Sequence, residues 1–88
     1  MSNSRSIVKI AIWEAMSEIL KDNGISNCKE PNETDLVFST GLDSLGFAVL
    51  VTQLEEKLGY DPFTLMDDPF YPSTYGEFVA VYEKFYPK

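Results

Sequence analysis

The segment GLDSLG, residues 41–46, places an acid and a hydroxyl between two glycines, just before a long apolar run. Its serine, Ser44, could act as a nucleophile, receive a covalent group or begin a helix. A serine nucleophile needs a base to take its proton, and the chain contains no histidine. The residue two before it is Leu42, where a Gly-x-Ser-x-Gly nucleophile elbow has glycine. We therefore do not expect Ser44 to be a catalytic nucleophile.

A helix that begins at this segment gives the serine two other roles. Asp and Ser are both common N-cap residues, so either Asp43 or Ser44 can simply cap the helix. The unpaired amides of a first helical turn, together with the positive end of the helix dipole, also favour an anion. A phosphate esterified to Ser44 by another enzyme would be favoured here. In that case the serine, which we expect to face solvent, is an attachment point, and Leu42 and Leu45 can anchor the segment from both sides.

Hydrophobic periodicity predicts the elements that position this segment. We predict three main helices over residues 4–22, 45–58 and 74–86, and a short helix over 63–68. Asn23-Gly24 ends the first helix and Gly59 ends the second, because glycine accepts the left-handed backbone of a helix C-terminus. Thr74 and Glu77 have the spacing of a capping box at the start of the last helix. The sequence therefore predicts a single all-α domain over residues 1–88.

A long first loop, residues 25–42, separates the first two main helices. It is too polar for a long helix, and we expect a short turn at residues 33–38. Four apolar side chains within it would be poorly placed in water, so we expect the loop to be pinned onto the core. They are Leu36, Val37, Phe38 and Leu42.

The composition excludes several classes of function. Fourteen acids against seven bases give a net charge of −7, which would repel nucleic acids and anionic membrane surfaces. Lys9 and Glu14 interrupt the N-terminal apolar stretch, so we expect neither a signal peptide nor membrane insertion. With Cys28 as the single cysteine, an internal disulfide and a Cys-rich zinc site are excluded, and we interpret Cys28 as structural or incidental. We expect a cytoplasmic protein.

Three motifs in order resemble the acyl carrier protein family over about residues 5–86. They are Gly41-Leu42-Asp43-Ser44-Leu45, the helix end Leu54-Glu55-Glu56-Lys57-Leu58, and Thr74-x-Gly76-Glu77-Phe78-Val79. The Asp-Ser-Leu core is specific when the whole helical pattern accompanies it. The resemblance implies a four-helix bundle of the acyl-carrier type, with three main helices, a short third helix and a long first loop.

The resemblance also implies a function for Ser44. A phosphopantetheinyl transferase would attach 4′-phosphopantetheine from coenzyme A to Ser44, using magnesium. The thiol of that arm would carry acyl groups as thioesters between acyl-loading, acyl-transfer or synthase enzymes. Asp43 matches the family's acid that helps the transferase's metal find the site, and Gly41, Leu42 and Leu45 match the recognition segment. The protein would be a monomer, not an enzyme, and would hold no resident metal.

The chain departs from the fatty-acid carriers of this family after Leu45. Those carriers place further acids along the first two turns of the second helix, where this chain has Gly46, Phe47, Ala48 and Val49. Phe47 and Val49 form either an apolar partner surface or a partly buried pair. The first helical acids are Glu55 and Glu56, which we include among the partner-recognition candidates. This composition is closer to carriers of specialised lipid, polyketide, peptide or cell-surface pathways.

Two features within this region have alternative explanations. Glycine within a helix costs about 1 kcal/mol relative to alanine, so Gly46 suggests a close approach, by the arm or by a partner. Six apolar side chains either line an acyl pocket beside the short helix or belong to the ordinary core. They are Leu50, Leu54, Phe63, Leu65, Met66 and Phe70.

Two rival functions remain open at this point. An aminoacyl or peptidyl carrier would have the same arm on Ser44 and differ only in its cargo. An acidic helical interaction module would bind a protein without carrying anything, and it would have no need for a serine at this position. The residues name neither the cargo nor the pathway.

Overall fold

The computed structural model describes residues 4–25, 29–65 and 72–86. Four α-helices follow one another, with a one-turn 3-10 helix, Val37–Thr40, between the first two. The α-helices are α1, Ser4–Asp22; α2, Ser44–Leu58; α3, Pro62–Leu65; and α4, Tyr75–Lys84. The described residues contain no β-strand, and their only bridge pairs Leu36 with Thr74. The prediction of an all-α protein is therefore confirmed for the described part of the chain.

The core forms where α1 packs against both α2 and α4. On α2 the stripe that is fully buried runs through Gly46, Leu50 and Leu54, one helical turn apart. Burial of these apolar side chains is the main force that holds the helices together. The whole buried cluster comprises Val8, Ile12, Ala15, Met16, Ile19, Leu20, Val37, Leu42, Leu50, Leu54, Tyr75, Phe78, Val79 and Tyr82.

The first loop is fastened to the segment that leads into α4. The Val37 amide donates to the Ser73 carbonyl over 2.9 Å, and the Tyr75 amide donates to the Asp35 carbonyl over 2.8 Å. These bonds satisfy backbone groups that would otherwise be unpaired outside helices. The loop is thus a structural layer over the start of α4.

A charged cluster ties the same loop to α1 and α4. Arg5 on α1 donates from Nη2 to Glu33 Oε1 over 2.6 Å and from Nη1 to Glu83 Oε1 over 3.1 Å. Lys9 Nζ lies 3.6 Å from the second oxygen of Glu33. The hydrogen bond from Arg5 lowers the pKa of Glu33, and the bonds to Glu33 and Glu83 raise the pKa of Arg5. Because these side chains are between one third and one half exposed, solvent screens the attraction.

The helix boundaries follow the sequence prediction closely. The bounds of α1 are those predicted, and α2 begins one residue earlier than predicted, at Ser44. The last helix covers residues 75–84, shorter than the predicted 74–86, because Thr74 is its N-cap and Phe85 its C-cap. The short helix lies at 62–65, not 63–68, and residues 66–68 are outside the described part.

The first loop differs from its prediction in two ways. A turn occupies residues 33–34, within the predicted range 33–38, and a 3-10 helix that was not predicted follows at Val37–Thr40. Val37 and Leu42 are buried as expected, but Leu36 is 54% exposed and Phe38 is 53% exposed. Leu36 has an extended backbone, in which neighbouring side chains point to opposite sides. Since Val37 enters the core, Leu36 must face outward.

Three predicted features fall on residues outside the described ranges, namely Cys28, Met66 and Phe70. Within those ranges, no helix combines the length and the apolar character that crossing a membrane requires.

Candidate functional site

The junction between the first loop and α2 is built from alternating buried and exposed residues. Gly41 ends the 3-10 helix with a φ of 103°, a left-handed conformation that glycine adopts without strain. A β-carbon at Gly41 would also lie 2.6 Å from Ile25 Cδ1, so the loop packs closely here. Leu42 then enters the core and is 1% exposed. The buried Leu42 side chain therefore fixes the position at which α2 begins.

Asp43 is the N-cap of α2, which resolves the choice between Asp43 and Ser44. Its Oδ1 accepts a hydrogen bond from the Gly46 amide over 2.7 Å. Its carbonyl accepts from the Phe47 amide over 2.8 Å, which begins the helical pattern. A carboxylate in this place also interacts favourably with the positive end of the helix dipole. The capping role therefore belongs to the acid and leaves the serine free of it.

Ser44, the first residue of α2, is exposed as predicted. Its hydroxyl forms no hydrogen bond with any residue in the described ranges. The nearest lysine along the chain after it, Lys57, lies roughly 20 Å away along the helix. That lysine pairs with Glu14 on α1, with 3.6 Å between Nζ and Oε1. The arrangement presents a hydroxyl to solvent with no basic side chain of α2 beside it.

Gly46 has a packing reason within the chain itself. A β-carbon at this position would lie 2.9 Å from Leu42 Cδ1, 3.1 Å from Asp43 Oδ1 and 3.5 Å from Ile19 Cγ2. The first distance is shorter than real β-carbons show. The close approach suggested by the sequence is therefore made by Leu42 and the capping carboxylate. Neither the arm nor a partner is needed to explain this glycine.

Leu45 lies on the solvent side of α2, so the expectation that it anchors the segment is wrong. Its side chain is 75% exposed, and Val49, one turn later, is 39% exposed. Successive helical residues are rotated by about 100°, and Gly46 is the residue that faces the core. Leu45 is therefore turned away from the core. Glu55 and Glu56 are exposed at the opposite end of the helix.

Phe47 is partly buried in a cluster of aromatic rings. The ring centroid lies 5.5 Å from that of Phe38, 6.3 Å from Phe63 and 5.4 Å from Phe78. These separations are those of favourable aromatic pairs. The two residues were expected to form either an apolar partner surface or a partly buried pair. Phe47 is partly buried, whereas Val49 is exposed.

The candidate pocket residues are divided between core and surface. Leu50 and Leu54 are fully buried, whereas Leu65 is 54% exposed. The Phe63 ring lies 6.3 Å from Phe78, and the remaining candidates are the residues 66 and 70 that the structure leaves undescribed. An acyl pocket here stays a prediction.

The sequence analysis missed one polar group in this aromatic cluster, the hydroxyl of Tyr82. The side chain is fully buried, and its hydroxyl has no partner in the described structure. The neighbouring Tyr60 hydroxyl donates to the Tyr82 carbonyl instead. Burial raises the pKa of Tyr60 to about 12, and it also raises the pKa of Tyr82, with Asp61 adding to the effect. The helical stripe of α4 predicts the burial of Tyr82 but cannot reveal whether its hydroxyl is bonded.

The acidic residues of the described ranges do not converge on one point. No group of three or more Asp, Glu, His or Cys side chains within those ranges is placed to hold a metal ion.

Comparison with protein-family models, with curated proteins and with solved structures finds no match to this chain.

Proposed function

We propose that this chain is a carrier protein of the acyl-carrier type, a monomeric four-helix bundle of the cytoplasm. Ser44 receives 4′-phosphopantetheine from coenzyme A, and acyl intermediates of a specialised lipid, polyketide or cell-surface pathway are held on it as thioesters. The observation that carries the proposal is the exposed, unbonded hydroxyl of Ser44 at the first position of a 15-residue helix. Asp43 completes the cap of that helix, so the hydroxyl has no structural task.

The residues around Ser44 fit a phosphate ester. The amides of Ser44 and Leu45 have no acceptor within the described ranges, and Asp43 satisfies only the Gly46 amide of this turn. Such unpaired amides favour an anion together with the helix dipole. Asp43 uses Oδ1 for the cap and remains exposed. Its second oxygen is thus available to the magnesium ion of a transferase.

The chain contributes an oxygen and a position to the proposed reaction. The Ser44 oxygen bonds to the phosphorus of the pantetheine phosphate, the transferase takes the serine proton, and adenosine 3′,5′-bisphosphate leaves. When attached, 4′-phosphopantetheine supplies a thiol on a flexible arm, to which an acyl group is joined as a thioester. The buried Leu42 holds the attachment point firmly against the core while Ser44 faces solvent. Chemistry on the cargo belongs to the partner enzymes.

The exposed face of α2 indicates what kind of partner surface would meet it. No charged residue lies between Asp43 and Glu55, and Leu45 and Val49 are exposed within this interval. Apolar side chains at the centre of an interface contribute most when they are desolvated. Partner enzymes would therefore contact the first half of α2 mainly through apolar groups. The acidic side chains of α2, Glu55 and Glu56, lie near its C-terminal end, away from Ser44.

Two alternatives share parts of this geometry. An aminoacyl or peptidyl carrier has the same requirement for an exposed Ser44, and only its loading enzyme distinguishes it. A non-carrier interaction module is favoured by one observation, the exposure of Leu45 and Val49, since that face can bind a protein without any arm. Modification of Ser44 separates the carriers from this module.

The test is the intact mass of the protein after incubation with coenzyme A, magnesium and a broad-specificity phosphopantetheinyl transferase. The parent should gain one phosphopantetheine and Ser44→Ala none. Ser39→Ala is a matched control, because Ser39 is also exposed but its hydroxyl donates to the Leu36 carbonyl over 2.8 Å. This control should be modified like the parent.

The variant Asp43→Asn sharpens the result. Asparagine caps a helix about as well as aspartate, so the fold is retained while the carboxylate is lost. Modification should become slower. A folded parent that several transferases leave unmodified would overturn the carrier proposal in favour of the interaction module. A Ser44→Ala variant that still gains the group would overturn the assignment of the attachment point to Ser44.

A further inference from the structure

The Asn23-Gly24 pair that ends α1 is a chemically labile sequence at the protein surface. An asparagine side-chain amide reacts with the backbone nitrogen of the next residue, and a glycine there has no side chain to hinder the approach. Asn23 is the only asparagine in the chain that a glycine follows. Both residues are exposed, and a β-carbon on Gly24 would meet nothing within 4 Å. The reacting groups are therefore accessible to water.

Two backbone hydrogen bonds hold this pair in a closed turn. The Gly24 amide donates to the Lys21 carbonyl over 3.0 Å, and the Ile25 amide donates to the Leu20 carbonyl over 2.9 Å. Together with the left-handed Gly24, at a φ of 85°, these bonds form a Schellman motif. The attacking nitrogen must give up the proton that it donates to Lys21, so the reaction requires the turn to open. Helix ends open more readily than the core does.

The side chain of Ile25 keeps this turn closed. It packs against the buried cluster, and its Cδ1 lies 2.6 Å from the position of a β-carbon on Gly41. Leu20 Cδ2 lies 3.6 Å from the same position. Leu20 and Ile25 thus both lie against Gly41, an apolar arrangement that commonly accompanies a Schellman motif. Burial of Ile25 therefore stabilises the closed turn.

We propose that Asn23 is a site of spontaneous covalent conversion to aspartate and isoaspartate, controlled by opening of the end of α1. The Gly24 nitrogen bonds to the side-chain carbonyl carbon of Asn23. The amide nitrogen leaves as ammonia, taking the Gly24 proton, and a succinimide ring forms. Water then adds to one of the two ring carbonyls and opens the ring, which gives aspartate by one route and isoaspartate by the other. Water is the co-reactant, and the proposal is independent of the carrier function.

The products would loosen the junction that leads into α2. In isoaspartate the backbone runs through the side chain and is one carbon longer, within the stretch spanned by the Leu20–Ile25 hydrogen bond. Ile25 then cannot keep both this bond and its place against Gly41, which directly precedes the buried Leu42. Either product also adds a negative charge beside Asp22 at the C-terminal end of α1, where the helix dipole disfavours it.

The experiment incubates the whole chain in warm, mildly alkaline buffer and follows each asparagine by peptide mass mapping. Isoaspartate is distinguished from aspartate by labelling with a protein isoaspartyl methyltransferase. Asn32 is the internal control, because it is also exposed but is followed by Glu33. Conversion at Asn23 should be roughly ten-fold faster or more, since glycine leaves the nitrogen unhindered. Asn23→Gln should stop conversion at this position, because the attack would have to close a larger ring.

The variant Ile25→Ala tests the control by the end of α1. Without the side chain that keeps the turn closed, Asn23 should convert roughly three-fold faster or more than in the parent. Ile10→Ala is the matched control, because Ile10 lies on the same helix and is 60% exposed. It should convert at the rate of the parent. Val79→Ala, a truncation in the core of α4, should lower the urea midpoint but speed conversion less than Ile25→Ala does.

Converted protein, separated from fresh protein by anion exchange, should have a lower urea midpoint. Equal rates at Asn23 and Asn32 in the folded parent would overturn the assignment of the site. Equal rates in Ile25→Ala and the parent, or an equal acceleration by Val79→Ala, would overturn the control by local opening of α1. A converted protein with an unchanged urea midpoint would overturn the loosening of the junction.

Discussion

Helices α2 and α4 begin with the same local chemistry but end up in opposite surroundings. Asp43 caps α2 by accepting from the Gly46 amide over 2.7 Å, and Thr74 caps α4 by accepting from the Glu77 amide over 3.1 Å. The first helical residue of α2 is exposed, whereas that of α4, Tyr75, is fully buried. The start of α2 therefore presents its first side chain to solvent, whereas the start of α4 buries its first side chain in the core.

The third residue of each helix accounts for part of this difference. In α4 the Glu77 carboxylate reaches back to the Thr74 amide at 3.3 Å and to the Ser73 amide at 2.9 Å, which completes a capping box. In α2 the corresponding residue is Gly46, which has no side chain to reach back. The first turn of α2 therefore keeps unpaired amides, as an anion-binding helix start requires.

Tertiary contacts account for the rest. The first loop covers the start of α4, where the Gly76 amide donates to the Glu33 carbonyl over 2.9 Å. At the start of α2 the loop supplies Leu42, which packs beneath the helix, and Phe38, whose ring contacts Phe47, but Ser44 stays exposed. A side-chain cap thus sets the residue at which each helix begins. Whether the first helical residue is buried or exposed depends on whether the first loop packs over it.

The largest expected effect comes from truncating the first residue of each helix. Tyr75→Ala should lower the free energy of unfolding by about 3–5 kcal/mol, since it removes a large, fully buried aromatic side chain. Ser44→Ala should change it by no more than about 0.5 kcal/mol, because this side chain is exposed and unbonded. Urea denaturation measures both, with Tyr75→Phe as a control that loses only the hydrogen bond to Glu30. A Ser44→Ala variant destabilised by more than about 1 kcal/mol would contradict the comparison.

A smaller effect is expected at the glycine in each first turn. Gly76→Ala should destabilise the protein by about 1–3 kcal/mol, because its β-carbon would lie 2.9 Å from the Glu33 backbone oxygen. Gly46→Ala should cost less, since the atom 2.9 Å from its β-carbon is the end of the Leu42 side chain, which can shift. Alanine also gains about 1 kcal/mol over glycine within a helix. The order of the two urea midpoints checks this, and a larger loss for Gly46→Ala would refute it.

The smallest effect concerns pH and the loop that covers α4. Arg5 lowers the pKa of Glu33 below its ordinary value of 4.5. A carboxyl whose pKa is lower in the folded state contributes stability above its unfolded pKa, and this contribution disappears as the pH falls through the folded value. Glu33→Gln should therefore have a slightly lower urea midpoint than the parent at neutral pH. The difference should shrink as the pH falls below 4.5 and vanish once it is below the lowered folded pKa of Glu33.

The exposed Glu56, outside this cluster, provides the control for loss of charge alone. Glu56→Gln removes a charge without removing an ion pair found in the described residues, so its urea midpoint at neutral pH should stay close to that of the parent. A Glu33→Gln variant whose urea midpoint differs from that of the parent by the same amount at neutral and acid pH would show that the ion pair with Arg5 does not stabilise the loop.

The sequence predicted the features that depend on neighbours along the chain. The periodicity and the Asn23-Gly24 stop predicted the bounds of α1, and the spacing of Thr74 and Glu77 predicted the capping box of α4. The segment 41–46 predicted a helix start with an exposed Ser44. These features arise within one or two turns, where steric and hydrogen-bonding preferences act locally.

The candidate site was only partly predictable for the same reason. The capping motif left Asp43 and Ser44 as alternatives, and the geometry selected Asp43. Leu42 and Leu45 were expected to anchor the segment together, but only Leu42 does so. The sequence does not assign either leucine to the core or to solvent, because that depends on which side of α2 packs against α1.

The sequence by itself therefore determined the three main helices, the capping box of α4 and the position of an exposed hydroxyl, because each depends on chemistry within a few residues. Only the tertiary structure decided that Leu36 faces outward while Val37 is buried, that Gly46 packs closely against the Leu42 side chain, and that the Tyr82 hydroxyl is buried without a partner in the described structure. These outcomes depend on which distant segments pack together. Burial and hydrogen-bond pairing are properties of that packing, and local pattern does not contain them.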